Sequence, residues 1–339
     1  MASGSEDYYK RGEMGRSLLE AALTLPRRAM NRSRVEDMTV EEKDFAHFSN
    51  EIYKKPEVRE LTLRGYTLLQ NEFPKHGECV FLNDERWAVY RASNGIDHVL
   101  VFRGTANWED VGHDLELQGG FGEHKYMMDG AVWSSRVMLF LNAEFSRNVE
   151  GGDEAHLRFR VTGHSLGGAV AMGVILYLHD IPKVAKQLEG DGIDREQSPD
   201  FIMYKQEIAD PWNAEFSRKG SEPPYELCGG HVFNPGAWPR DVPRDYATLM
   251  AVGHDVLVGN YGSLKYVYDQ HYDVINSDSR EDKGVTTHHV VGDLVSCCYR
   301  MGKEKTYAPK NTIASLMSLW PGKKETVRGG GPHSMLNFV

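Results

Sequence analysis

The chain has 339 residues, 40% of them hydrophobic, which is enough to bury a full core in one large α/β domain with extensions. Its 39 Lys and Arg against 49 Asp and Glu leave a net charge of -10, which speaks against a broad footprint for a phosphate backbone and sets nucleic acid aside as a partner. The longest charge-free apolar stretch, Ala169 to Leu178, is far shorter than the roughly 20 residues a bilayer span needs.

Residues 1–38 carry seven Lys or Arg and six Asp or Glu with few large apolar residues, and read as a polar N-terminal arm. They open MASGSEDYYKRGE, with no secretory pattern, so an intracellular, cytoplasmic location is the expectation. Within the arm, SLLEAALTLPRRAMNRSR has the make-up of a basic amphipathic helix suited to a peripheral contact with a membrane or lipid-droplet surface; a solvated or locally docked tail is the simpler reading. The main domain is expected to run from 39 to 339. Thr39 and Glu42 form a capping box for a helix that presents Phe45, Phe48 and Ile52 on one face.

Two strands follow, Arg86 to Arg91 and His98 to Phe102, separated by the turn-forming Asn94-Gly95. A helix around Ala131 to Arg147 aligns Val137, Phe140, Leu141 and Phe145. Leu157 to Thr162 is a third strand, and the apolar run from Leu166 is a helix that stops before Pro182. Residues 183–225 are polar and rich in charge, Gly and Pro, so they read as a long insertion and the place for any second lobe. His231 to Phe233 is a fourth strand, Pro243 to Val274 is mainly helix and loop, and Val285 to Val291, dense in β-branched residues, is a fifth strand. Strands alternating with helices predict a mostly parallel central sheet with helices on both faces. Cys79, Cys228, Cys297 and Cys298 are too few for a disulfide framework and read as reduced core thiols.

The motif richest in chemistry is Gly163-His164-Ser165-Leu166-Gly167. A G-x-S-x-G sequence between a strand and a helix puts the serine on a sharp, strained turn with its hydroxyl presented to substrate. Alone the pentapeptide is weak; the strand before it and the helix after it make it specific. At the end of the second strand, Val101-Phe102-Arg103-Gly104-Thr105 runs into a polar loop. Gly104 permits close backbone approach, and the Thr105 amide and hydroxyl are suited to donate to a developing oxyanion. Leu166, next after the serine, supplies the other backbone N–H.

FRGT followed by Asn107-Trp108, then VTGHSLGGA, then VFNPG, resembles the class 3 (fungal-type) lipase family of α/β-hydrolases, well over about residues 85–180 and in patches over 230–339. The resemblance implies an α/β-hydrolase fold and a serine esterase acting on acylglycerols, phospholipids or related esters without a cofactor, with Thr105 and Leu166 as oxyanion donors. The arm, the 183–225 insertion and the long gap after Phe233 depart from the family pattern.

In this fold the triad order is Ser, acid, His. Asp293, on a Gly-Asp turn after the strongest late strand, is preferred as the acid over Asp255, whose preceding segment YATLMAV is poor in branched residues. Asp293 leaves His333 as the base, with SMLNF after it as an apolar anchor. His271, His288 and His289 compete only if Asp255 is the acid; otherwise His288 and His289 are strand residues. The reading is a lipid ester hydrolase working through Ser165, Asp293 and His333. A non-enzymatic lipase-like interaction protein and an acyltransferase using the same acyl-enzyme are the alternatives.

Overall fold

The strand leading to the serine motif lies inside an eight-stranded sheet, and the other strands order themselves around it. The computed structural model describes residues 34–70, 72–75, 78–104, 121–148, 156–179, 181, 199–216, 225–235, 284–290, 303–307, 335 and 338–339. In chain order the strands are β1 (Thr62–Leu63), β2 (Tyr66–Leu68), β3 (Glu72–Lys75), β4 (Glu78–Phe81), β5 (Trp87–Ala92), β6 (Asp97–Phe102), β7 (Leu157–His164), β8 (Tyr225–Phe233), β9 (Val285–Val290) and β10 (Lys303–Tyr307). The helices are α1 (Val40–Glu51), α2 (Phe121–Asn148), α3 (Leu166–Leu178), α4 (Pro199–Tyr204) and α5 (Asp210–Phe216), the last two joined by a π-turn at Lys205–Ala209.

The main sheet has the order β1-β2-β5-β6-β7-β8-β9-β10. From β6 to β10 every neighbouring pair is parallel, while β1, β2, β5 and β6 pair antiparallel. β3 and β4 form a separate antiparallel hairpin. A mostly parallel sheet entered by an antiparallel edge, covered by helices on both faces, with a strand-serine-helix turn at its middle, is the α/β-hydrolase fold.

Local signals account for much of this. The Thr39 hydroxyl accepts from Glu42 N at 3.2 Å and the Glu42 carboxylate accepts from Thr39 N at 2.9 Å, so the capping box starts α1 where the sequence marks it. Gly95 at φ +72° closes the β5–β6 hairpin, its N–H donating to the Ala92 carbonyl. α3 is buried nearly all round, as its unbroken apolar sequence requires. On one face of the sheet α2 and α3 cover Leu100, Phe102, Phe159 and Val161; on the other α1 covers Val99, Val101 and Phe233. No helix among the described residues is long and apolar enough to cross a membrane.

Two stretches differ from the sequence reading. Val35 and Met38, counted above with the arm, are buried in the α1-side core. Within the segment read as a polar insertion, Tyr204, Ile208 and Trp212 recur at four-residue intervals and are buried in the main core, the Trp212 ring 4.7 Å from Tyr225. The described part of that segment is therefore a layer of the domain. β8 also starts earlier than the HVF triplet. Its Gly230 lies so close to β7 that a Cβ would meet the Val161 carbonyl oxygen at 1.9 Å, and the glycines that this approach needs hide the strand pattern.

His98 on β6 is 2% exposed, stacked on Phe159 at 5.2 Å, with Nδ1 2.9 Å from the Ile96 carbonyl. Burial pushes its pKa down to about 4, against the opposing pull of that hydrogen bond. The unfolded chain takes up this proton near pH 6.5, so between there and about pH 4 the unfolded state binds more protons and stability falls as pH drops. His98→Phe removes this dependence. Urea titrations of parent and variant should show the parent losing about 2 kcal/mol more than the variant between about pH 7 and about pH 5.

Candidate active site

Ser165 is the residue between β7 and α3, with φ +57° and ψ -131°. A non-glycine residue in this region costs on the order of 1–3 kcal/mol and persists only when its surroundings hold it there. Those surroundings come from both neighbouring strands. The Ser165 N–H donates to the Phe233 carbonyl at the end of β8 at 3.1 Å, and the Gly168 N–H donates back to the Ser165 carbonyl at 2.9 Å. A Cβ on Gly163 would meet the Gly167 carbonyl oxygen at 2.3 Å, and one on Gly167 would meet the Phe102 carbonyl oxygen of β6 at 2.2 Å. The motif glycines are thus contact points between backbones.

The end of β6 is brought directly to the serine. A Cβ on Gly104 would lie 3.0 Å from Ser165 Cβ and 2.4 Å from the His164 carbonyl oxygen. Leu166 is the first residue of α3, so its N–H is among those that a helix leaves without an intrahelical acceptor, directed at the helix N-terminus. Negative charge is favoured at such an end.

A contact that sequence reasoning did not find lies beneath the elbow. Tyr53, just past α1, shares a hydrogen bond with His164 Nδ1, oxygen to nitrogen 2.8 Å, and its hydroxyl is 2.7 Å from where a Gly104 Cβ would be. The Arg103 guanidinium sits 5.8 Å over the Tyr53 ring. Tyr53 therefore touches both halves of the FRGT–GHS junction. Its partner is 111 positions away in sequence, and no local pattern encodes such a contact.

Asn234, from the VFNPG motif, ties the next two strands together. At φ +39° it donates its N–H to the His288 carbonyl at 2.8 Å, and its side-chain oxygen accepts from Val290 N at 2.8 Å. His288 and His289 are β9 residues, in line with the strand reading. Thr105, Asp255, His271, Asp293 and His333 lie outside the described residues. Ser165 and Leu166 are the sequence-derived site residues whose geometry is described.

The fold and the elbow define the chain as an α/β-hydrolase. Residues 99–187 match the family described as lipase (class 3), so the resemblance carried by FRGT and GHSLGG holds across β6, β7 and α3, and the chain is lipase-like there. Among solved structures it is similar to the Lip2 lipase from Yarrowia lipolytica, at 12% identity and a TM-score of 0.36, with 79% of this chain and 77% of that chain covered. No curated protein matches.

The tight elbow is testable by adding one carbon. Gly167→Ala should destabilise the fold by about 2–3 kcal/mol, because its Cβ has only the β6 backbone to displace. Gly95→Asn, at a turn where a Cβ meets nothing within 4 Å, should stay within about 1 kcal/mol of the parent in the same urea titration.

Proposed function

We propose that the protein is a serine carboxylic ester hydrolase, a lipase or phospholipase that cleaves acyl esters of lipids inside the cell through an acyl-enzyme on Ser165. The observation that carries this reading is the strained Ser165 turn with the end of β6 against it, because a residue kept in a costly conformation beside a strand end and a helix N-terminus is suited to nucleophilic attack. His333 takes the Ser165 proton as the hydroxyl attacks the ester carbonyl. The Leu166 and Thr105 amides donate to the oxyanion, and Asp293 orients the imidazole and stabilises its charged form. The alcohol leaves with the proton, and water activated by His333 then releases the acyl group.

Two features support this assignment of acid and base. β9 and β10 run parallel to β7, so both strands end on the side of the sheet where Ser165 sits, and Asp293 comes shortly after β9 in the sequence. Beyond His333, Met335 and Phe338 are buried, and the Phe338 ring lies 5.0 Å from Phe233, the residue whose carbonyl holds the Ser165 amide.

A fluorophosphonate should label the folded protein at Ser165, located by mass spectrometry, and Ser165→Ala should abolish the adduct. Labelling that survives the substitution would remove the acyl-enzyme. Asp293→Asn should lower kcat on a lipid ester by at least about a hundredfold with folding retained, whereas Asp255→Asn stays within a few-fold; the reverse ranking transfers the acid role.

The substrate is taken as a lipid at an interface. Activity should rise as an ester passes from monomers to aggregates. A plain hyperbolic rate curve through the aggregation point identifies an open esterase instead. Deleting residues 1–33, which spares buried Val35 and Met38, measures the arm's share of vesicle binding.

A further inference from the structure

The inner faces of parallel strands are normally continuous in apolar residues, yet on the α1 side of this sheet β8 presents His231, β9 presents His288 and β10 presents Lys305, with Glu42 of α1 above them. Glu42 and His288 are buried, and candidate ligand atoms of Glu42, His231 and His288 all lie within 4.8 Å of one another. This group is on the other side of β7 from α2 and α3, and the proposed ester hydrolysis makes no use of it.

We propose that Glu42, His231 and His288 form a binding site for a divalent transition-metal ion of the Zn²⁺ type, and that the Lys305 ammonium stands in for that ion when the site is empty.

The spacing of the two imidazoles suits such an ion. His231 Nδ1 and His288 Nε2 are 3.1 Å apart. Two nitrogens at that spacing both reach a metal at about 2.0–2.1 Å with an angle near 100° between them, within the tetrahedral range. Two imidazoles and one carboxylate are a familiar zinc donor set, and with one anionic ligand they favour zinc over the hard cations that take mainly oxygen.

The groups behind the ligands are in place as well. His288 Nδ1 is 3.0 Å from the Tyr307 hydroxyl, and donation there leaves the Nε2 lone pair directed at His231. The Thr39 N–H holds one Glu42 oxygen at 2.9 Å.

The buried Glu42 carboxylate needs a positive partner, and Lys305 Nζ donates to its other oxygen. Lys305 comes from β10, its side chain is 32% exposed, and its flexible stem lets the ammonium withdraw to solvent. The other nearby cation, Arg160, is paired with Glu41 at the rim. An ion bound here joins α1 to β8 and β9 across the face that carries the Phe233 end of the elbow.

The test uses the full chain, stripped with a chelator and titrated with Zn²⁺. The parent should bind one equivalent and gain several degrees in Tm. Glu42→Gln, which retains the capping box, and His231→Gln should each weaken binding by at least about tenfold. Lys305→Met should lower the Tm of the metal-free protein, bind Zn²⁺ at least about tenfold more tightly than the parent, and recover its Tm when zinc is added.

If the cluster is only a hydrogen-bonded support for the core, Lys305→Met loses stability that zinc does not restore, and any zinc uptake is indifferent to His231→Gln. Either result overturns the proposal. X-ray absorption of the zinc-loaded parent does not depend on the variants folding. Two imidazole nitrogens and a carboxylate at about 2.0–2.1 Å are expected, and a shell of water or thiolate ligands overturns the proposal. Each readout is affinity, Tm or ligation, so the outcome is independent of whether the ester hydrolase reading holds.

Discussion

The conformation of Ser165 depends on three backbones meeting at one point. Its positive φ is costly, and nothing in the local sequence other than the flanking glycines makes it accessible. The β8 end holds the serine amide, the β6 end presses on Gly167, and α3 begins directly behind, so the strain is carried by contacts that form only once the sheet has assembled. Because these contacts are main chain to main chain, the elbow tolerates little change in its glycines. Surface loops can vary without disturbing it.

The two faces of the sheet then take different tasks. On the α2 and α3 side the core is large and mainly apolar, with His98 buried in it, and it is extended by Tyr204, Ile208 and Trp212. Its burial supplies the general stability that allows a strained turn to persist. The α1 side is mixed. Thr162 of β7 donates to the His231 carbonyl at 2.7 Å and takes a hydrogen bond from Ser49 at 2.8 Å, while Tyr53 reaches His164 and Glu42 meets Lys305. α1 is therefore fastened by specific polar contacts as well as by Phe45 and Phe48, and that fixes its register over the strands that frame Ser165.

Much of this was legible in the residues themselves. The capping box at Thr39, the Asn94-Gly95 hairpin, the strands over His98 to Phe102 and Leu157 to Thr162, and the late strand from Val285 all carry local chemistry that dictates their form. Where legibility failed, the cause was context. β10, KEKTY, is charged, as strands at the end of a sheet often are, and so carries no apolar signature. The four-residue stripe Tyr204, Ile208 and Trp212 was masked by the charges around it.

The fold class was written in consecutive residues, because strand, glycine turn, serine and apolar helix follow one another and their physics is local, and the same run marked Ser165 as the candidate nucleophile. It also singled out Leu166, which is the first residue of that helix. Only the tertiary structure decided that Tyr53 supports His164, that Asn234 joins β8 to β9, and that Glu42, His231 and His288 converge although they come from three separate elements. Such meetings depend on strand order and register, which no single segment specifies, since pairing one strand with another is a property of the whole sheet.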